Sequence, residues 1–80
     1  MSSSVEDRTR NIVAEVFGLP IDSVTLGTSN ENVAEWDSLN LLNILIAVEG
    51  EFGVSISPEE AADFVSVGRI VGVLRTQGVA

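Results

Sequence analysis

The apolar residues of this chain recur at helical rather than strand spacing. Near the start they share one helical face, at Val5, Ile12, Val13, Val16 and Phe17. Ser4 is a suitable cap for that helix, and Asp7 three residues later makes a weak capping box. Gly18 and then Pro20 favour termination. The pattern predicts a first helix from about Val5 to Phe17.

A second, more apolar run extends from Ser38 to Phe52 and stops before Gly53. On a helical wheel of ~100° per residue it carries two apolar stripes. The first suits a core and consists of Leu41, Ile44, Leu45, Val48 and Phe52. The second consists of Leu39, Leu42 and Ile46, and is either covered by a neighbouring element or exposed as a partner surface. Exposure is favoured for Leu39 at the helix's open end, whereas both outcomes stay open for Leu42.

Two shorter helices are predicted after residue 56. Ser57-Pro58-Glu59-Glu60 combines a capping serine, a proline at the first helical position and a glutamate three residues after the cap. It predicts a short third helix ending near Phe64. Ser66 begins a fourth helix, in which Gly68 and Gly72 each cost up to ~1 kcal/mol relative to alanine. Its apolar face consists of Val67, Ile70, Val71 and Leu74.

A long connection joins the first two helices, from Leu19 to Asp37, and is rich in Pro, Gly, Ser, Thr and Asn. Its spaced apolar residues predict a loop pinned to the core, with a short turn at Ile21 to Val24. Trp36 is expected to anchor this loop by burying its ring. The predicted fold is all-α: a four-helix bundle with three longer helices, a short third helix and a long structured loop, in one domain over residues 1–80.

The composition excludes several kinds of chemistry. The chain has no Cys and no His, which removes disulfides, Cys/His zinc sites, thiol redox chemistry and Ser-His or Cys-His nucleophile pairs. The acidic loop residues lack the alternating ligands and central glycine of a calcium loop, which makes a small acidic metal binder a remote alternative. We therefore predict no catalytic residue and no metal site.

The net charge of the chain limits the classes of molecule that it can bind. The net charge is −8, and all four basic residues lie near the termini, at Arg8, Arg10, Arg69 and Arg75. An acidic surface repels nucleic acid and anionic lipid, and suits either simple solubility or docking to basic patches on enzymes. Residues 1–10 do not resemble a signal peptide, and the longest apolar run is interrupted by Asn43. A cytoplasmic monomer is expected.

Ser38 is the candidate functional residue. Its hydroxyl lies at the start of the second helix, where unpaired backbone N–H groups and the helix dipole stabilise an attached anion. We interpret Ser38 as an attachment point. The alternative is that it only caps the helix. The same two possibilities apply to the acidity of Asp37, which serves either docking or capping.

Several motifs together resemble those of acyl carrier proteins over nearly the whole chain. They are Asp37-Ser38-Leu39, the run from Ala47 to Val54, the run from Ile56 to Ala61, and Ser66-Val67. The resemblance implies a four-helix bundle whose Ser38 receives 4′-phosphopantetheine from coenzyme A, added by a separate phosphopantetheinyl transferase with magnesium. The thiol of that arm would carry acyl groups as thioesters between acyl-loading and acyl-processing enzymes.

The resemblance also implies two sets of site residues. The partner-binding set consists of Asp37, Leu39, Leu42, Ile46 and Glu49. An acyl cavity between the second and third helices would be lined by Leu45, Val48, Phe52, Ile56, Ala61 and Phe64. These residues would be apolar in any packed bundle, and Phe64 could fill the space itself.

The chain departs from the family's fatty-acid members at three positions. Asn40 and Asn43 stand where those members often have acidic residues, and Trp36 stands where a small residue is common. Trp36 resembles discrete carriers of specialised biosynthetic clusters. A polyketide, fatty-acid-like or specialised-metabolite pathway is expected. The alternatives are a peptidyl or aminoacyl carrier, disfavoured by Trp36-Asp37, and a helical interaction module without a prosthetic group.

Overall fold

The structure is a computed structural model that describes residues 4–79, so the ends of the predicted 1–80 domain lie outside the described residues. The described chain contains four α-helices and no strand of a sheet. The helices are α1 (Val5–Phe17), α2 (Ser38–Phe52), α3 (Pro58–Ala61) and α4 (Val67–Thr76), and a 3₁₀ turn covers Ile21–Ser23. The predicted all-α bundle is confirmed.

The predicted bounds of α1 and α2 are confirmed. Both helices end at a glycine whose backbone lies in the left-handed region. Gly18 and Gly53 each have φ of 65°, a conformation that costs other residues a steric penalty. Helix α3 is shorter than predicted. After Ala61 the α-helix does not continue, because the Asp63 and Phe64 amides donate to the carbonyls three residues back, Glu60 O and Ala61 O, both at 3.0 Å.

Capping side chains begin the helices as predicted. Ser4 accepts from the Asp7 amide at 3.1 Å, and Ser66 accepts from the Arg69 amide at 3.1 Å. Ser57 and Glu60 form the complete reciprocal capping box.

Helix α1 is the central element, since it packs against both α2 and α4. The core-facing stripe of α2 is confirmed: Ile44 and Val48 are fully buried, and Leu41, Leu45 and Phe52 pack against the core. Fully burying such a side chain stabilises the fold by roughly 1.5–3 kcal/mol. Among residues 4–79, no helix has both the length and the apolar character needed to cross a membrane.

The long loop is pinned to the start of α4 by its backbone. The amides of Val67 and Gly68 donate to Thr28 O at 2.9 Å and Leu26 O at 3.0 Å, and the Asn30 amide donates to Val65 O at 3.0 Å. The first two bonds satisfy amides that the start of α4 leaves free. The prediction of a pinned loop is confirmed.

Side chains of the first helix and the loop complete the attachment. Arg10 donates to Val24 O at 2.6 Å and to Ile21 O at 3.1 Å. Val24 is fully buried and Val33 is buried. The loop therefore holds a fixed path towards the start of α2.

Candidate functional site

Ser38 is the first residue of α2, and its side chain is exposed. The residue that caps the helix is Asp37, whose carboxylate accepts from the Asn40 amide at 3.0 Å. The alternative in which Ser38 caps the helix is wrong, and the capping interpretation of Asp37 is confirmed. The side-chain bonds at this helix start run between Asp37, Asn40 and Glu35, and none within residues 4–79 engages the Ser38 hydroxyl.

Trp36 anchors the chain two residues before Ser38. Its ring is 7% exposed, and its indole N–H donates to Phe64 O at 3.0 Å. The ring also lies against Phe17, with centroids 5.3 Å apart and planes inclined at 36°. The predicted anchoring role of Trp36 is confirmed, and it ties the approach to Ser38 to the connection between α3 and α4.

Asn40 makes a contact that the sequence pattern did not reveal. Its side-chain amide donates to Glu35 O at 2.8 Å, and the Asn43 amide donates to Asn40 Oδ1 at 3.3 Å. In the sequence these asparagines stood out only by replacing acidic residues. The available signal was an amide donor placed three residues after a capping aspartate, which can reach back to the preceding turn.

The second apolar stripe of α2 is exposed. Leu39, Leu42 and Ile46 are 72%, 56% and 64% exposed. This resolves the two outcomes left open for Leu42 in favour of exposure. The stripe begins at the residue after Ser38, so a protein that reaches the Ser38 hydroxyl also meets these side chains. Apolar groups left in water beside a candidate site favour association with a partner.

Glu49 has a structural contact in addition to its predicted partner role. It is half-buried, and one carboxylate oxygen accepts from the Ile56 amide at 2.9 Å. That bond holds the segment between α2 and α3. The partner role of Glu49 stays a prediction.

The arginines are all paired with acidic side chains, and all lie on α1 and α4. The pairs are Arg8–Glu51 at 2.9 Å, Arg10–Asp7 at 3.3 Å, Arg69–Asp63 at 3.8 Å and Arg75–Glu6 at 3.5 Å. Arg8 also lies over the Phe52 ring, 4.4 Å from its centroid. Within the described chain, the exposed carboxylates of Glu35 and Asp37 have no such cation, so the surface before Ser38 stays negative.

The residues predicted to line an acyl cavity lie in or beside the core. Val48 and Phe64 are fully buried, while Leu45, Phe52, Ile56 and Ala61 are half-buried. A surface pocket of about 380 Å³ lies elsewhere, within the long loop. It is lined by Leu19, Ser23, Thr25, Gly27, Thr28, Asn32 and Val33. The acyl cavity between α2 and α3 therefore stays a prediction.

The start of α2 has the features that a phosphate ester needs. The Ser38 hydroxyl is exposed, and the amides of Ser38 and Leu39 have no acceptor within residues 4–79. Free amides at a helix start, together with the helix dipole, stabilise a nearby anion by about 0.3–1 kcal/mol. The residues present therefore fit a phosphate-linked prosthetic group on this hydroxyl.

A comparison with protein families agrees with this geometry. The family model described as the phosphopantetheine attachment site matches residues 7–74, from α1 into α4. The match covers most of the chain and includes the whole of α2. The chain belongs to the phosphopantetheine attachment family, and it is a carrier protein that bears covalent 4′-phosphopantetheine.

Proposed function

We propose that Ser38 is the attachment residue and that the chain is an acyl carrier protein. One observation carries the proposal: the Ser38 hydroxyl is exposed at the first position of α2, while Asp37 performs the capping that would otherwise occupy it. When bound, the prosthetic group supplies the thiol that holds an acyl group as a thioester, and the chain itself has no cysteine.

The chain acts as a substrate and carrier and not as an enzyme. Members of this family generally lack catalytic activity of their own and interact with transferases and biosynthetic enzymes. With no histidine in the sequence, the general base and the metal for attachment come from the phosphopantetheinyl transferase. What this chain contributes is an accessible hydroxyl held at a fixed place.

The partner surface consists of Asp37, Leu39, Leu42, Ile46 and Glu49. The exposed apolar side chains on α2 support contact with the transferase and with acyl-loading and acyl-processing enzymes. The uncompensated carboxylate of Asp37 supports docking to basic patches on those enzymes.

The pathway is a polyketide, fatty-acid-like or specialised-metabolite pathway in the cytoplasm. Asn40 and Asn43 stand where fatty-acid members often have acidic residues, and Trp36 resembles carriers of specialised biosynthetic clusters, which supports a dedicated cluster over general fatty-acid synthesis. We further propose that the carrier works as a monomer, apart from nucleic acid and membrane surfaces, in keeping with its net charge of −8.

The test is attachment followed by intact-mass measurement. The protein is incubated with coenzyme A, magnesium and a broad-specificity phosphopantetheinyl transferase, and one phosphopantetheinyl mass is expected. Ser38→Ala removes the addition. Ser55→Ala is the matched control, because it removes another exposed hydroxyl and keeps the addition. Modification of the Ser38→Ala protein would contradict the assignment of the site.

The intact mass of the protein from its natural host tests the cargo. An acyl mass on the arm supports the acyl carrier, and an aminoacyl mass would replace it with an aminoacyl carrier. If the protein from the host carries no modification and the Ser38→Ala variant keeps its function, the chain is instead an interaction module without a prosthetic group.

A further inference from the structure

Asn40 forms hydrogen bonds with two residues that precede Ser38 in the sequence. Its backbone amide donates to the Asp37 carboxylate at 3.0 Å, and its side-chain amide donates to Glu35 O at 2.8 Å. The same Glu35 carbonyl accepts from the Asp37 amide at 2.9 Å, which closes a tight three-residue turn centred on Trp36. The turn before Ser38 and the first turn of α2 are thus joined through Asn40.

These bonds leave the Ser38 hydroxyl free while restraining its backbone on both sides. Glu35 and Asp37 are exposed, so packing contributes little to holding them. The buried Trp36 ring holds the middle of the turn, and the Asn40 side chain holds its first carbonyl. Loss of the Asn40 donor would therefore loosen the chain beside the hydroxyl without removing its anchor.

Only a side chain that donates a hydrogen bond can make this contact. An aspartate at position 40 has the same shape and also suits the first turn of a helix, but its carboxylate only accepts. The Asn40 side-chain amide now lies 2.8 Å from Glu35 O. In the aspartate variant a carboxylate oxygen would face that carbonyl oxygen instead, and no hydrogen bond could form. The contact at position 40 thus needs a hydrogen-bond donor, for a reason separate from docking charge.

We propose that Asn40 is a positioning residue for the modification of Ser38, an inference that rests on the proposed function. In that step the Ser38 oxygen forms a bond to the phosphorus of the phosphopantetheinyl group. The bond from that phosphorus to the departing adenosine nucleotide of coenzyme A breaks, and the serine proton passes to the transferase. Such a displacement depends on the orientation of the attacking oxygen. Asn40 sets that orientation by fixing the backbone on which Ser38 stands.

The experiment measures kcat and KM of the transferase with wild-type carrier and with Asn40→Ala, Asn40→Asp, Asn40→Gln and Asn30→Asp carriers. We expect kcat to fall about fivefold for Asn40→Ala and Asn40→Asp, the change that follows from losing one net hydrogen bond. Asn40→Gln keeps a donor and restores most of kcat. Asn30→Asp is the control, because it makes the same amide-to-carboxylate change at an exposed loop residue whose side chain forms no hydrogen bond within residues 4–79, so kcat stays near wild type.

A second readout is amide hydrogen exchange, which should accelerate at Asp37 in the Asn40→Asp protein and not in the Asn30→Asp protein. Partial unfolding is distinguished from loss of positioning, because it lowers the concentration of usable carrier and raises KM without lowering kcat. An unchanged kcat for Asn40→Asp overturns the inference, as does an equal fall for Asn30→Asp. If wild-type carrier is not modified at all, the proposed function and this inference fail together.

Discussion

The indole nitrogen of Trp36 donates a hydrogen bond to the backbone carbonyl of Phe64 at 3.0 Å, across 28 residues of sequence. This bond connects the approach to Ser38 with the segment between α3 and α4. The position of the attachment hydroxyl thus depends on contacts made far from it along the chain.

Trp36→Phe tests that bond, because phenylalanine keeps an aromatic ring and removes the donor. The buried Phe64 carbonyl loses its indole partner, and we expect the free energy of unfolding to fall by about 1–3 kcal/mol. Trp36→Ala also removes the ring packed against Phe17 and should cost about 3–5 kcal/mol. Urea unfolding followed by circular dichroism measures both, since the substitutions remove the only tryptophan. Equal stability of wild type and Trp36→Phe would show that the bond contributes nothing.

The two glycines of α4 have different environments, so alanine substitutions at these positions should have opposite effects on stability. A Cβ at Gly68 would lie 3.2 Å from Leu26 O, in the pinned loop, whereas a Cβ at Gly72 meets nothing within 4 Å. Gly72→Ala should therefore gain most of the helix propensity difference and raise the free energy of unfolding by about 0.5–1 kcal/mol. Gly68→Ala should lower it by about 1 kcal/mol, because the loop carbonyl must move.

Urea unfolding of the two alanine variants under identical conditions checks this pair. Hydrogen exchange at the Gly68 and Val67 amides locates the effect, since both amides donate to loop carbonyls. Similar gains in stability for both variants would mean that the loop adjusts without cost.

The helices could be predicted from the sequence because their signals are local. Gly18 and Gly53 end α1 and α2, and Ser57-Pro58 begins α3, through interactions within a few residues. The path of the long loop could not be predicted in detail, because backbone groups make its bonds to Val67 and Gly68. Such bonds leave no trace in side-chain identity. The pattern showed only that the loop carries enough apolar residues to be held.

The position of the candidate site could be predicted from the sequence, but the hydrogen bonds around it could not. Asp37 and Ser38 are adjacent and both are good capping residues, so the pattern could not decide which of them holds the helix end. The structure assigns the cap to Asp37. The contact between Asn40 and Glu35 O was likewise hidden, because it depends on how the chain turns at Trp36.

Glu60 gives the fold a specific dependence on pH. The Ser57 amide, and then the Gln77 side chain, donate to its carboxylate and hold the pKa of Glu60 below its ordinary value. A carboxyl whose pKa is lower in the folded state stabilises the fold above its unfolded pKa. That contribution is lost as the pH falls through the folded pKa. We expect the stability difference between wild type and Glu60→Gln to be constant near neutral pH and to shrink below about pH 4.5, the ordinary pKa of a glutamate.

Thermal unfolding from pH 7 to pH 3 measures that difference. Glu59→Gln is the matched control, because it removes the same charge from α3 without breaking either of the Glu60 bonds. A Glu60→Gln profile that runs parallel to that of Glu59→Gln at every pH would contradict the role of these bonds.

Substitutions in the exposed stripe on α2 should weaken binding to the transferase without changing the stability of the fold. Leu42 and Ile46 are 56% and 64% exposed, so alanine at either position should change the free energy of unfolding by less than about 0.5 kcal/mol. If the transferase covers the stripe, each truncation removes buried apolar area from the complex and should raise KM about threefold to tenfold, with kcat little changed. Leu26→Ala is the control, because Leu26 is also exposed, at 44%, but lies on the loop beside α4. An equal rise in KM for Leu26→Ala, or no rise for the α2 variants, would place the docking surface elsewhere.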